Sequence, residues 1–208
     1  MEPLTLVIGS KNYSSWSLRP WLALKQAGID FSEICIRLDQ PETAAQIRQY
    51  SPSGRVPVLL HGDLTVWDSL AICEYMAEQF PEHHWYPEDS AARAIARSVS
   101  AEMHSSFQAL RTNMPMNCCA QLPGVGRTPE VQQDIERITD LWTHCRQLFG
   151  QAGPFLFGLF TIADAMYAPV VLRFMTYDVA LDGICKAYAE AILGLPTMQA
   201  WLKAAEAE

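Results

Sequence analysis

"NYSSWSLRPWLALKQAGI", residues 12–29, follows the short apolar run "LTLVIG", residues 4–9, and the pair reads as a strand turning into a helix. The helix is expected to run to about Ala27 and to stop at Gly28. Its start is crowded with hydroxyls: Ser14, Ser15 and Ser17 surround Trp16, with Arg19 and Pro20 close behind. Capping a helix needs one serine oxygen. The other two are either ordinary turn residues or donors to something outside the chain.

Working outward, "FSEICIR", residues 31–37, alternates as a strand, and "PETAAQIRQY", residues 41–50, is a short polar helix led by a proline. "SPSGRVPVLLHGDLTVW" holds two more strands, 57–61 and 64–67, joined by the hairpin signal Gly62-Asp63. "DSLAICEYMAEQF", residues 68–80, is a helix with Asp68 or Ser69 at its start. The order is β-α-β-α-β-β-α. From Pro81 the composition shifts to Pro, His, Glu and Asp, and everything beyond reads as helical: 90–114, 129–149, 161–176, a weaker segment at 180–193, and 197–207. The fold class is therefore a small α/β domain over residues 1–80, a linker at 81–89, and an all-α domain over 90–208.

The totals exclude several functions. A formal charge of −8 argues against nucleic acid, whose phosphates demand a basic surface. The N-terminus has an acidic second residue and no long apolar stretch, so it is not read as a secretory signal. Six cysteines without a C-x-x-C pair read as reduced, mostly buried thiols of a cytoplasmic protein. Five histidines show no metal-binding spacing, so no metal is expected. No G-x-S-x-G elbow, P-loop or G-x-G-x-x-G occurs. The apolar segment 153–172 is long enough to imitate a membrane span, but Asp164 lies in its middle and Thr161–Asp164 is a capping-box pattern, so it reads as a buried core helix and no membrane is expected.

Four local signatures, in order along essentially the whole chain, resemble the cytosolic glutathione transferase family in a bacterial form whose motifs are closest to the zeta class. "YSSWSLRPW" is similar to the zeta "SSCSWR" turn; "GRVPVL" looks like the family's cis-proline turn; "DSLAICEY" is similar to its Glu/Gln-Ser dipeptide opening a helix; and "GLFTIAD", 158–164, resembles the capped core helix of its second domain. The resemblance implies a thioredoxin-like first domain in which Ser14-x-x-Ser17 stands where redox relatives carry C-x-x-C, so a dithiol oxidoreductase is not expected. A hydroxyl beside a helix N-terminus instead stabilises someone else's thiolate, here that of glutathione as co-substrate.

On that resemblance Ser14 is the catalytic residue, with Ser15 the runner-up and Ser17 a capping or packing hydroxyl; Arg19 is expected to hold the local structure or an acidic partner. The Val56 backbone beside a cis Pro57 would pair with the cysteinyl segment of glutathione, or else simply pack at a sheet edge. Ser69 and the N–H groups at its helix start would hold the γ-glutamyl carboxylate, and Asp68 the ammonium; capping and binding are compatible there. Gln108 and Arg111 would meet the cofactor or an electrophile, Arg111 being equally readable as a solvated charge, and Met114, Pro115 and Met116 would line an apolar pocket. Two departures bear on class: Trp16 replaces the cysteine that zeta relatives use in isomerisation, and the zeta glutamine falls near Glu42, leaving Thr43 for that contact. His104 reads as a packed or surface histidine.

The function implied is detoxifying transfer of glutathione to a small hydrophobic electrophile, with a maleylacetoacetate isomerase or a non-catalytic binding module as alternatives. A homodimer is expected, partly from the resemblance and partly because Val99, Met103, Phe107 and Leu110 form one apolar stripe while Ala92, Ala96 and Ser100 offer a second, close-packing face.

Overall fold

The computed structural model describes residues 2–208. Four strands, β1 (Leu4–Gly9), β2 (Ser32–Ile36), β3 (Val58–His61) and β4 (Leu64–Trp67), form one sheet in the order β2-β1-β3-β4. β1 runs parallel to β2 with Val7 opposite Ile34, and antiparallel to β3 with Val7 opposite Val58. The β3–β4 hairpin turns through Gly62, whose φ of +57° suits a residue without Cβ.

β1 is apolar on both sides because both sheet faces are covered. Leu4, Leu6 and Ile8 join the core that includes helices α1 (Ser15–Gln26) and α3 (Ser69–Gln79). Val7 points the other way and meets Ile36, Val58 and Ile47, the last from helix α2 (Thr43–Arg48). Gly28, at φ +71°, follows the end of α1 as the sequence leads one to expect.

The helical half comprises α4 (Ser90–Ser105), α5 (Gln108–Asn113), α6 (Pro129–Phe149), α7 (Ile162–Thr176), α8 (Gly183–Leu193) and α9 (Pro196–Glu206). α7 is its axis, with every residue except Met175 buried. Its start is the expected capping box: Asp164 Oδ2 accepts from Thr161 N at 2.8 Å and Thr161 Oγ1 at 3.0 Å, while Oδ1 accepts from Leu156 N at 3.0 Å. Among the described residues no helix is long and apolar enough to cross a membrane. The connection 81–89 is pinned, since Trp85 Nε1 donates to Phe80 O at 2.7 Å and Trp85 O accepts from Ile162 N at 2.9 Å. α1 packs on α3 within its own half and on α7 across the chain, so the sheet half and the helical half share one core.

Three expectations need correction. The helix expected over 90–114 breaks at Ser106–Phe107, where Phe107 takes a left-handed φ of +64°. No glycine or proline announces the break; it is imposed from outside, by burial of Phe107 and Leu110 and by Asp134 Oδ2 of α6, which accepts from Leu110 N at 2.9 Å. Next, the two apolar faces of α4 leave nothing for a partner: Ala92, Ala96, Val99, Ser100 and Met103 are all buried within this one chain. Finally, only Cys73, Cys145 and Cys185 of the six free cysteines are buried, because Cys35 lies on an outer strand and Cys119 on an exposed loop.

Candidate active site

The turn between β1 and α1 is built first by its own backbone. Tyr13 N and Ser14 N donate to Ser10 O at 3.1 and 2.8 Å, wrapping the chain so that Ser14 becomes the N-cap of α1. The helical half then clamps it. Trp201 Nε1 of α9 donates to Lys11 O at 3.0 Å, and Cys118 N donates to Asn12 O at 3.2 Å.

The three serines have three different jobs. Ser14 Oγ donates to Ser17 Oγ at 2.7 Å and accepts a long bond from Ser17 N at 3.4 Å. Ser17 Oγ in turn accepts from Gly9 N at 3.1 Å, tying the helix to the end of β1. Ser15 Oγ faces the other way and accepts from Arg173 Nη2 of α7 at 3.2 Å. Ser17 is fully buried, while Ser14 and Ser15 keep 6% and 5% of their surface exposed.

Beside this turn opens a cleft of about 490 Å³ whose wall includes Trp16, Val56, Pro57, Trp67, Asp68, Ser69 and His104. The Val56–Pro57 peptide is cis. Among the described residues no hydrogen bond reaches the Val56 backbone. Asp68, not Ser69, caps α3: its Oδ1 accepts from Leu70 N at 2.9 Å and Ala71 N at 3.3 Å. Asp68 holds a φ of +77°, a region that costs a non-glycine residue about 1–3 kcal/mol and persists only where surroundings over-determine it. Ser69 Oγ is buried and has no hydrogen-bond partner among the described residues.

Behind Trp16 lies a cationic cluster. The guanidinium of Arg19 stands 4.2 Å from the Trp16 ring centroid and that of Arg111 4.7 Å, both within cation–π range. Arg19 is fully buried and has no hydrogen-bond partner among the described residues, and burial, with repulsion from Arg111 and Arg173, holds its pKa well below the ordinary value. Arg111 donates Nε to Ser106 O at 2.9 Å and Nη2 to Met103 O, so it holds the broken end of α4. Burial likewise pushes Arg173 down to about 10, leaving it protonated at neutral pH. Such a cluster, at the N-terminal end of α1, favours a negative charge placed at the serine turn.

Of the residues singled out from sequence, Val56, Pro57, Asp68 and Ser69 line the cleft, and Ser14 and Ser15 sit in the turn adjoining it through Trp16. Gln108 is exposed, donates along its own helix to Thr112 at 3.1 Å, and is not part of the cleft wall. Met114 and Met116 are buried in the core, and Thr43 Oγ1 is engaged with Arg37 O at 2.7 Å. Sequence reasoning singled out neither Trp67 in the cleft wall nor Arg173 against the serine turn, and it read His104, which lines the cleft, as a packed or surface histidine. Nothing local marks them: His104 reaches the cleft only because α4 packs against α3.

Comparison with known proteins gives a consistent result. Residues 13–79 match a family model described as glutathione S-transferase, N-terminal domain, and residues 128–204 one described as glutathione S-transferase, C-terminal domain. The chain is 32% identical over 170 residues to a probable maleylacetoacetate isomerase of Caenorhabditis elegans, covering 81% of this chain and 77% of that one. It is 29% identical over 198 residues to glutathione S-transferase 1 of Dianthus caryophyllus, covering 92% and 89%. A crystal structure of a glutathione transferase homolog from Burkholderia with bound glutathione superposes with a TM-score of 0.74 at 25% identity, covering 100% of both chains.

Proposed function

Because the chain belongs to the glutathione S-transferase family, we propose that it binds glutathione in the cleft beside the serine turn, activates its thiol as the thiolate through a serine hydroxyl, and transfers it to a small apolar electrophile. The observation that carries this reading is Ser69 Oγ, buried and unpartnered on the same wall as Asp68 and Val56. A buried hydroxyl without a partner is costly unless something outside the chain completes it. The γ-glutamyl carboxylate suits the unpartnered Ser69 hydroxyl at the N-terminal end of α3, the γ-glutamyl ammonium suits Asp68, and the cysteinyl backbone suits Val56.

These contacts aim the sulfur at the start of α1. Lowering a thiol pKa by about two units needs about 2.7 kcal/mol of preferential thiolate stabilisation. One hydrogen bond to a charged group supplies about 1.5–3 kcal/mol, and the helix end and the arginines behind Trp16 add to it. Ser14 holds the position that the resemblance makes catalytic, with Ser15 beside it. The sulfur then attacks the electrophilic carbon, the leaving group departs with the bonding pair, and the thiol proton goes to solvent.

A second reading, cis–trans isomerisation of the maleylacetoacetate kind, is favoured by the isomerase relatives and opposed by Trp16. We further infer a cytoplasmic homodimer. With the α4 stripe consumed internally, its support is the family and the half-exposed Leu64 and Trp67 on β4, at 47% and 48%.

The test has two parts. Retention on immobilised glutathione with elution by free glutathione supports the binding site; no retention refutes it. A panel of chlorodinitrobenzene, an isothiocyanate, a peroxide and a cis-enone diacid then reads the chemistry. Turnover of none by a protein that binds glutathione would leave only a binding module.

A further inference from the structure

We propose that Arg173 of α7 is a positioning residue for thiolate formation: by donating to Ser15 Oγ it leaves the Ser15 hydroxyl proton for the glutathione sulfur. Ser15 is then the thiolate donor. This inference rests on the serine–thiolate reading above and deepens it by assigning the donor and the residue that orients it.

A serine hydroxyl has one proton to give and two lone pairs to offer. The Ser14 proton is committed to Ser17 Oγ at 2.7 Å, and Ser17 Oγ also receives the Gly9 N–H, so Ser14 belongs to a chain that fastens the helix to the sheet. The Ser15 oxygen accepts from Arg173 Nη2 at 3.2 Å, and its proton goes to no described residue. With the two serines exposed to nearly the same small extent, accessibility does not choose between them; their hydrogen-bond partners do.

Arg173 is an unusual residue to find there. It is 4% exposed, and its other donors go to neutral main-chain oxygens, Nε to Met114 O at 2.9 Å and Nη1 to Pro169 O at 3.4 Å. None of its hydrogen-bond partners is a carboxylate. A buried guanidinium without a counter-charge is costly, and a structural tie between α1 and α7 does not require one. A charge aimed through Ser15 at a developing thiolate does. The ionisable groups around it are Arg19 from α1, Arg111 from α5, Cys118 beyond α5, and Tyr177 at the end of α7, with His104 and Asp68 beyond Trp16. The cations outnumber the anions on this side of the turn. A hydroxyl that accepts from a cation is also a better donor, because the acceptor bond polarises its O–H.

The experiment is the pH dependence of kcat/KM for glutathione with chlorodinitrobenzene, together with ultraviolet titration of the thiolate in the binary complex. Wild type, Ser14→Ala, Ser15→Ala, Arg173→Lys and the double variant Ser15→Ala/Arg173→Lys are compared. Ser15→Ala is expected to raise the bound thiol pKa by about one unit, which is about tenfold in rate below both pKa values. Arg173→Lys raises it by less, because lysine keeps the charge and loses the planar fork. The double variant shifts no further than Ser15→Ala alone, since the two residues act as a unit. Arg173→Gln, which keeps an N–H donor without the charge, serves if the lysine variant folds poorly, and it is expected to shift the pKa at least as far.

A further shift when Arg173→Lys is added to Ser15→Ala would overturn the pairing, as would a larger shift in Ser14→Ala than in Ser15→Ala. Either result leaves serine activation standing. If every variant binds glutathione with the wild-type thiol pKa, both this inference and the serine reading fall.

Discussion

His104 Nε2 stands 3.2 Å from Asp68 Oδ2, joining α4 of the helical half to the first residue before α3. The other oxygen of the same carboxylate caps α3, and the His104 ring meets the Trp16 indole edge-on at 5.3 Å between centroids. One side chain thus fixes Asp68 from behind while walling the cleft on the side of Trp16. The pair is partly exposed, with 30% and 40% of the side chains accessible, so its loss should cost the fold no more than about 1 kcal/mol. His104→Ala is expected to raise the KM for glutathione up to about fivefold with kcat nearly unchanged, the signature of a contact equal in ground and transition states. A fall in kcat at constant KM would give His104 a part in the chemistry instead.

Ser69→Ala separates binding from capping. Ser69 Oγ has no partner among the described residues, and Asp68 does the capping, so removing the hydroxyl should leave stability unchanged or raise it by up to about 1 kcal/mol. Glutathione affinity is expected to fall about tenfold, the worth of one hydrogen bond to a carboxylate. Calorimetric titration showing wild-type affinity would remove Ser69 from the proposed site.

Asp164 governs the fold and not the chemistry. Asp164→Ala strands the Thr161 and Leu156 N–H groups inside the protein and should destabilise it by about 2–4 kcal/mol, with normal kinetics from the folded fraction. Burial pushes this carboxyl from 3.8 up to about 6, against the hydrogen bonds from Leu156 and Thr161 that pull it down. Between those values the native chain holds a proton that the unfolded chain has released. This group's contribution to stability therefore falls as pH rises from about 4 to about 6 and is level above that. Asp164→Asn cannot titrate, so its Tm should lack that fall. Parallel Tm–pH curves for the two proteins across this window would contradict the assignment.

Assembly is decided by sedimentation at micromolar concentration. A species near twice the 23.3 kDa chain mass is expected. Replacing Leu64 and Trp67 together by Ser should shift it toward the monomer, since those are the large apolar side chains that β4 leaves half exposed. A monomer in the unaltered protein at every concentration would refute the dimer.

Much of this molecule was written in short-range signals. The alternating run 31–37, the Gly62-Asp63 turn and the Thr161–Asp164 box each act within a short stretch of neighbouring residues, and each appears where its local chemistry puts it. Val56, Pro57, Asp68 and Ser69, which line the cleft, were singled out through the family resemblance, at a proline turn and a helix start that short stretches of sequence mark. The helix break at Phe107 was not legible, since its cause is a carboxylate on another helix, Asp134, 24 residues from the N–H it caps. Arg111 read equally as a contact for cofactor or electrophile and as a solvated charge, and in the structure it closes that break. Sequence supplied three serines in one turn. What each hydroxyl meets was decided by the fold: Ser14 Oγ finds Ser17 Oγ three residues on, whereas Ser15 Oγ meets Arg173, 158 positions away, because α7 packs against α1.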